Sequence, residues 1–223
     1  MYCKIAIDGP AGSGKTTVAK LVAQRLGIEY LDTGAMYRAV GLYLNQLGVL
    51  PESNEIGKFL ESVHIEYIGG VYYLNGKKVS DEIRTPEAGI YASQYAVNPE
   101  VRKFLTRMQQ EICRERNIVA EGRDIGTVVM PDAPVKIFLT ASPEVRAKRR
   151  YKELKSKGIQ VSYEELLNQI IERDKTDSTR QLAPLIKADD AIEIDTSNLT
   201  IEEVIEKVIE IAKNKCFKIS NKD

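Results

Sequence analysis

Short apolar runs alternate along this chain with longer stretches in which apolar residues recur every three or four positions. Tyr2–Asp8 is a compact apolar run ending at glycines, the pattern of a buried parallel strand. From Lys15 to Leu26, the residues Val18, Ala19, Leu21, Val22 and Leu26 fall at helical spacing, and Gly27 stops the helix. Glu29–Leu31 predicts a second strand, and a helix over Ala35–Leu47 ends at Gly48. Asn98-Pro99 opens another helix: asparagine caps it, and proline occupies the first turn, where its missing N–H costs nothing. Asn117–Ala120 and Val135–Thr140 read as buried strands, and Ser142-Pro143 starts a helix by the same logic. Two capping boxes, Ser162 with Glu165 and Thr200 with Glu203, open further helices. The last carries Ile201, Val204, Ile205, Val208 and Ile211 on one face. Strands and helices in this alternation predict an α/β fold around a central parallel sheet flanked by helices.

One segment breaks the alternation. His64–Ile68 alternates polar and apolar, Gly69-Gly70 turns, and Val71–Leu74 returns; Asn75-Gly76 is then a type I′ hairpin signal before Lys77–Val79. The expectation is a small antiparallel insert at about 62–84, either a lid or substrate-side element or a surface decoration, within a single domain spanning residues 1–223. There are no internal repeats, and Lys213–Asp223 is polar enough to fray.

Composition narrows the classes. Lys plus Arg number 32 and Asp plus Glu number 32, so there is no basic excess of the kind a nucleic-acid binder carries. No 18-residue apolar run occurs and no secretory signal fits, so neither membrane nor secretion is expected. Cys3, Cys113 and Cys216 are odd in number, far apart and in no metal-ligand spacing. That predicts reduced thiols and a cytoplasmic protein.

The chemistry begins at Gly9, Pro10, Ala11, Gly12, Ser13, Gly14, Lys15 and Thr16, which fit G-x-x-x-x-G-K-[ST] in full, directly after a strand and before a helix. Backbone N–H groups of such a loop cradle phosphate oxygens, aided by the helix N-terminus. Lys15 reaches the outer phosphates, and the Thr16 hydroxyl ligates Mg²⁺. The chain therefore binds a nucleoside triphosphate. A guanine-reading N-K-x-D and a D-x-x-G switch are both missing, which argues against a GTPase.

A kinase bringing a second phosphorylated molecule to the triphosphate needs several arginines aimed at one place. Candidates stand at element ends: Arg38 after Asp32-Thr33-Gly34, Arg123 within Glu121-Gly-Arg-Asp124, and Arg173 and Arg180 around Asp174 and Asp177. Arg146, Arg149 and Arg150 share a helix, and Arg146–Lys157 holds seven basic residues and one acidic. That stretch is either a solvated helix face or a lid, at about 146–165, that clamps triphosphate. Glu121 either supports Mg²⁺ through water or pairs with Arg123 or a helix N-terminus. His64, the only histidine, reads as a surface strand residue.

Four segments now resemble one family: Ile5–Thr17, Leu31–Arg38, Glu121–Val129 and Lys136–Pro143 look like the bacterial cytidylate kinases. Arg173-Asp-x-x-Asp177-Ser-x-Arg180-x-x-Ala-Pro-Leu185 and Ile194–Ser197 complete the match, in order, over about residues 3–212. The resemblance implies a P-loop kinase fold, with the hairpin insert on the monophosphate-binding side and an arginine-rich helical lid. It implies transfer of the γ-phosphoryl group of ATP to CMP or dCMP with Mg²⁺, by a monomer, with no nucleic-acid or membrane partner. By resemblance, Arg38, Arg123 and Arg180 hold the CMP phosphate and, with Lys15, are catalytic; Thr33 supports the phosphate end. Ser93, Arg102 and Asp124 would read the cytosine, and Arg173 and Asp177 the sugar. On the ATP side stand the loop through Thr16 and Thr17, Arg146, Arg149 and Arg150 as the lid, and Ser197 in the adenine-side loop. From spacing alone, Ser93 and Arg102 read as helix-surface residues.

Overall fold

The computed structural model describes residues 2–79 and 81–216. In chain order the elements begin with β1 (Lys4–Asp8), α1 (Lys15–Leu26), β2 (Glu29–Asp32), α2 (Thr33–Gln46) and α3 (Ile56–Leu60). The short strands β3 (Ile65–Ile68), β4 (Val71–Leu74) and β5 (Lys77–Val79) follow, then a 3₁₀ turn (Asp81–Arg84), α4 (Pro86–Tyr95) and α5 (Pro99–Cys113). The chain continues with β6 (Ile118–Gly122), a π-helical turn (Ile125–Val129), β7 (Val135–Thr140), α6 (Pro143–Ser156), α7 (Tyr163–Thr179), β8 (Ile192–Asp195) and α8 (Ile201–Cys216).

Read from sequence as one domain with an insert, the chain divides into two compact units. The first is built from the chain up to Tyr30 and again from Arg116; the second is Leu31–Glu115. The main sheet has the order β2-β6-β1-β7-β8, with β1–β6, β1–β7 and β7–β8 paired in parallel. Its core packs Ile5, Ile7, Val119, Val135, Ile137 and Leu139 of the strands with Val18 and Val22 of α1 and Val204, Ile205 and Val208 of α8. Each is almost wholly buried, and burying one such side chain contributes about 1.5–3 kcal/mol. The expected apolar face of α8 is correct except at Ile201, which lies in the first turn and is 55% exposed.

The second unit holds the antiparallel sheet β3-β4-β5 with the expected Asn75-Gly76 turn, both residues at positive φ (49° and 75°). There α2 packs on α4. Gly41 permits the approach, since a Cβ would sit 2.9 Å from the Tyr91 carbonyl carbon. Helix α2 begins at Thr33, two residues before the predicted start, because the Asp32 carboxylate accepts from Ala35 N and caps it. The pieces α3, the 3₁₀ turn and α4 fall where periodicity predicts no element; α4 is nonetheless capped by Thr85 with Pro86 in its first turn.

Two expectations are corrected. Cys3 and Cys216 form a disulfide, with Cα atoms 5.3 Å apart, because the residue entering β1 and the end of α8 meet at one edge of the first unit's core. The third cysteine, Cys113, is buried and lies outside the bridge. For the same reason the chain does not fray at Lys213: α8 runs to Cys216, and residues 217–223 lie outside the described residues.

Candidate active site

The phosphate loop joins β1 to α1 in the first unit. At Gly9 a Cβ would lie 2.0 Å from the Leu139 carbonyl oxygen, so only glycine fits beside β7. Lys15 is 5% exposed and its Nζ donates to Pro10 O at 2.7 Å, folding back over the loop. Burial, reinforced by the Arg123 charge, pulls its ammonium down to about 7. A bound polyphosphate is the anion that favours its charged form. Thr16 and Thr17 open α1 with exposed side chains, and Ser13 is fully buried.

Ahead of the loop, Asp8 ends β1 and is 5% exposed. Its Oδ1 accepts from Ile125 N at 2.8 Å and its Oδ2 from Gly126 N at 2.7 Å. Burial nevertheless raises its carboxyl to about 6. These bonds anchor the π-helical turn that continues Glu121–Asp124, tying the phosphate loop's strand to the Gly-Arg-Asp segment. Helical turns of this wide type often mark functional sites. Glu121 is 4% exposed and accepts from the Tyr30 hydroxyl at 3.1 Å.

At the end of β6 the arginines converge. Arg123 Nε donates to Asp177 Oδ2 at 2.8 Å, and Arg180 Nη1 to Asp177 Oδ1 at 3.3 Å. Arg180 Nη2 lies 3.9 Å from Asp124 Oδ1, and its Nε donates to Ala183 O at 2.7 Å. Burial pushes the Asp177 carboxyl up, but the charge and hydrogen bond of Arg123, with Arg173 and Arg180, hold it below its usual value. The first unit thus gathers Arg123, Asp124, Arg173, Asp177 and Arg180. Glu121 and Asp174 also act on the Arg123 charge, and the N–H forks of these guanidiniums suit an oxyanion.

The helix α6 arginines differ from one another. Arg146, 2% exposed, donates to Ala141 O, Ala11 O and the Asp174 carboxylate. Arg149 donates to Thr196 Oγ1 at 3.0 Å and Thr196 O at 2.6 Å, while Arg150 pairs with Glu153 near the surface. Ser197 Oγ accepts from Ser142 N at 3.3 Å, so the 195–197 loop meets the start of α6.

In the second unit, Asp32 Oδ2 accepts from Arg38 Nη2 at 2.7 Å, and Thr33 beside it is 3% exposed. Arg102 is not on the surface: it is 4% exposed, stacks its guanidinium over the Tyr37 ring (5.5 Å) and donates to the Tyr37 hydroxyl at 3.3 Å. Ser93, on α4, is half-buried. Both depart from a surface reading because α4 and α5 pack within the unit. Asp8, Asp32 and Thr196 lie in segments that carry the family resemblance, but sequence reasoning gave none of them an individual role. Asp8 carried a signal, a carboxylate closing an apolar strand. Thr196, which donates to Ser13 O at 3.2 Å, was marked only by the resemblance of the Ile194–Ser197 segment.

A phosphate loop at a parallel strand's end, with buried arginines gathered beside it, defines a P-loop phosphotransferase. A model of the family described as cytidylate kinase matches residues 5–214. A protein of Fervidobacterium nodosum named cytidylate kinase is 75% identical over 216 residues, covering 97% of this chain and 99% of that one. One of Thermotoga maritima with the same name is 48% identical over 217 residues, covering 96% and 99%. A solved structure of an uncharacterized protein from Eubacterium ventriosum shares the fold at 15% identity, with a TM-score of 0.51 over 94% of this chain and 98% of that one. The chain belongs to the cytidylate kinase family.

Proposed function

We propose that this chain transfers the γ-phosphoryl group of ATP to CMP or dCMP, yielding ADP and CDP or dCDP. An oxygen of the acceptor's phosphate attacks the γ-phosphorus, the bond to the β–γ bridging oxygen breaks, and ADP leaves. No protein nucleophile is required; the residues position two anions and neutralise charge. The observation that carries this reading is the convergence of Arg123 and Arg180 on buried Asp177 in the unit that holds the phosphate loop.

Lys15 and the loop N–H groups bind the triphosphate, with Lys15 moving from the Pro10 carbonyl to phosphate oxygen. Arg38, Arg123 and Arg180 hold the acceptor phosphate; Ser93, Arg102 and Asp124 read the cytosine, whose N4 donates and whose N3 and O2 accept. Arg173 and Asp177 bind the sugar. Arg149, Arg150 and Ser197 serve the ATP side, and Arg146 acts there by holding the Ala11 carbonyl of the loop.

The donor set suits Mg²⁺ brought in with the triphosphate. Among the described residues no group of three or more His, Cys, Asp or Glu gathers to hold a metal, whereas the exposed Thr16 hydroxyl opens α1 without a partner. Mg²⁺ commonly keeps waters and phosphate oxygens and takes one or two protein ligands, so Thr16 would hold it, with Glu121 supporting its water shell. The ion supplies charge neutralisation on the phosphates. No helix among the described residues is long and apolar enough to cross a membrane.

The decisive experiment incubates purified protein with ATP and Mg²⁺ against a panel of monophosphates, scoring ADP. The expected result is turnover with CMP and dCMP. Activity confined to AMP or to a non-nucleotide acceptor overturns the proposal, and so does ATP hydrolysis indifferent to every acceptor.

A further inference from the structure

Tyr72 lies in β4, the middle strand of the hairpin insert, and is 9% exposed. Its hydroxyl accepts from Asp32 N at 2.8 Å and donates to Asp32 O at 2.9 Å. The N–H and C=O of one extended residue point the same way, and a single hydroxyl can both accept and donate. Tyr72 therefore binds Asp32 as a neighbouring strand would, from 40 residues away. Tyr67, its register partner on β3, backs the ring at a centroid distance of 5.1 Å.

Asp32 passes this restraint on. Its Oδ1 accepts from Ala35 N at 2.9 Å and so fixes the first turn of α2, while its Oδ2 accepts from Arg38 Nη2 at 2.7 Å. A continuous line of hydrogen bonds runs from the insert through the backbone and carboxylate of one residue to a guanidinium. That guanidinium is the one proposed above to grip the acceptor phosphate. Arginine–phosphate contacts depend on the direction of the N–H fork, so freedom at Asp32 becomes misorientation at Arg38.

The geometry points to Tyr72 as a positioning residue for the acceptor: the insert holds Arg38 in place through Asp32 and is part of the acceptor-binding machinery, not a surface decoration. This inference rests on the assignment of Arg38 to the acceptor phosphate.

Steady-state kinetics of Tyr72→Phe, Arg38→Lys, the double variant and Tyr73→Phe test it. Tyr72→Phe keeps the ring and removes both hydrogen bonds. Its KM for CMP should rise about fivefold or more, the scale of one to two lost hydrogen bonds, with KM for ATP within about twofold of wild type. Tyr73, on the opposite face of β4, should tolerate phenylalanine with no change in KM for CMP. Because Tyr72 acts through Arg38, adding Tyr72→Phe to Arg38→Lys should raise KM further by less than about twofold. A general loosening of the fold would raise both Michaelis constants together, and that outcome overturns the inference, as does full additivity in the double variant. A large Arg38→Lys effect beside a silent Tyr72→Phe overturns the link alone. A silent Arg38→Lys overturns the Arg38 assignment itself, and the link with it.

Discussion

Arg146 and Asp174 meet in a two-point ion pair, Nη1 to Oδ1 at 3.0 Å and Nη2 to Oδ2 at 2.5 Å. The Arg146 side chain is 3% exposed and also donates to Ala11 O at 3.1 Å. One guanidinium thus fastens α6 to α7 and to the phosphate loop. Truncating Asp174 leaves a buried charge unpaired, an error that costs about 3 kcal/mol. Asp174→Ala should therefore lower the melting temperature by roughly 5–10 °C in calorimetry and raise KM for ATP. An unchanged melting temperature would show that the pair is incidental.

Lys15 is the one ammonium group inside the phosphate loop. Lys15→Ala should lower kcat by at least about 100-fold, because the group neutralises charge that develops between the phosphates. Direct titration with CMP should give an affinity within about threefold of wild type. A kcat within a few-fold of wild type would remove the loop lysine from the mechanism.

The main-sheet strands and these helix caps were legible because each is encoded locally. Asn98, Ser142, Ser162 and Thr200 all cap as their neighbours predict, and Thr200 and Glu203 form a reciprocal capping box. The phosphate loop was legible because its glycines and lysine are contiguous. Arg102 was misread because its burial depends on Tyr37, 65 residues away, and the helix pattern around it is amphipathic with or without a buried arginine. Asp32 and Tyr72 were invisible as a pair for the same reason: a hydroxyl serving a distant backbone leaves no periodicity. The disulfide was missed because spacing cannot show that the entry to β1 and the end of α8 meet.

The stacked geometry of Arg102 on Tyr37 makes it a rigid donor. In its proposed role it serves the base of the acceptor and not the ATP. Arg102→Ala should raise KM for CMP about tenfold or more, with KM for ATP within about twofold. Equal losses on both substrates would show that the residue holds the fold of the second unit and does not read cytosine.

Asp177 carries a pH dependence with a definite sign. Its folded carboxyl titrates below the usual value of 3.8, so its ionised form is favoured by folding. That contribution is complete above about pH 5 and is lost as pH falls through the folded value. Asp177→Asn removes it, leaving Arg123 and Arg180 without their shared carboxylate. The melting temperature of the variant should fall well below wild type at pH 7, and the gap should narrow steadily toward pH 3. A gap independent of pH would mean that the carboxylate's charge is not what stabilises the site.

The Cys3–Cys216 bridge joins residues 213 positions apart, so it closes nearly the whole chain into a loop. In the chain-entropy account a loop of this length stabilises by about 5 kcal/mol, and measured bridges more often give 2–4 kcal/mol. Reduction should therefore lower the melting temperature by roughly 10 °C. Cys216→Ser should reproduce that drop and be insensitive to reductant. Thiol titration in denaturant should count one thiol, that of Cys113, before reduction and three after. Activity at 25 °C should be unaffected: Cys3 precedes β1, and the phosphate loop follows its far end, about 16 Å away along a five-residue strand. Three free thiols in the untreated protein, or identical melting with and without reductant, would overturn the bridge.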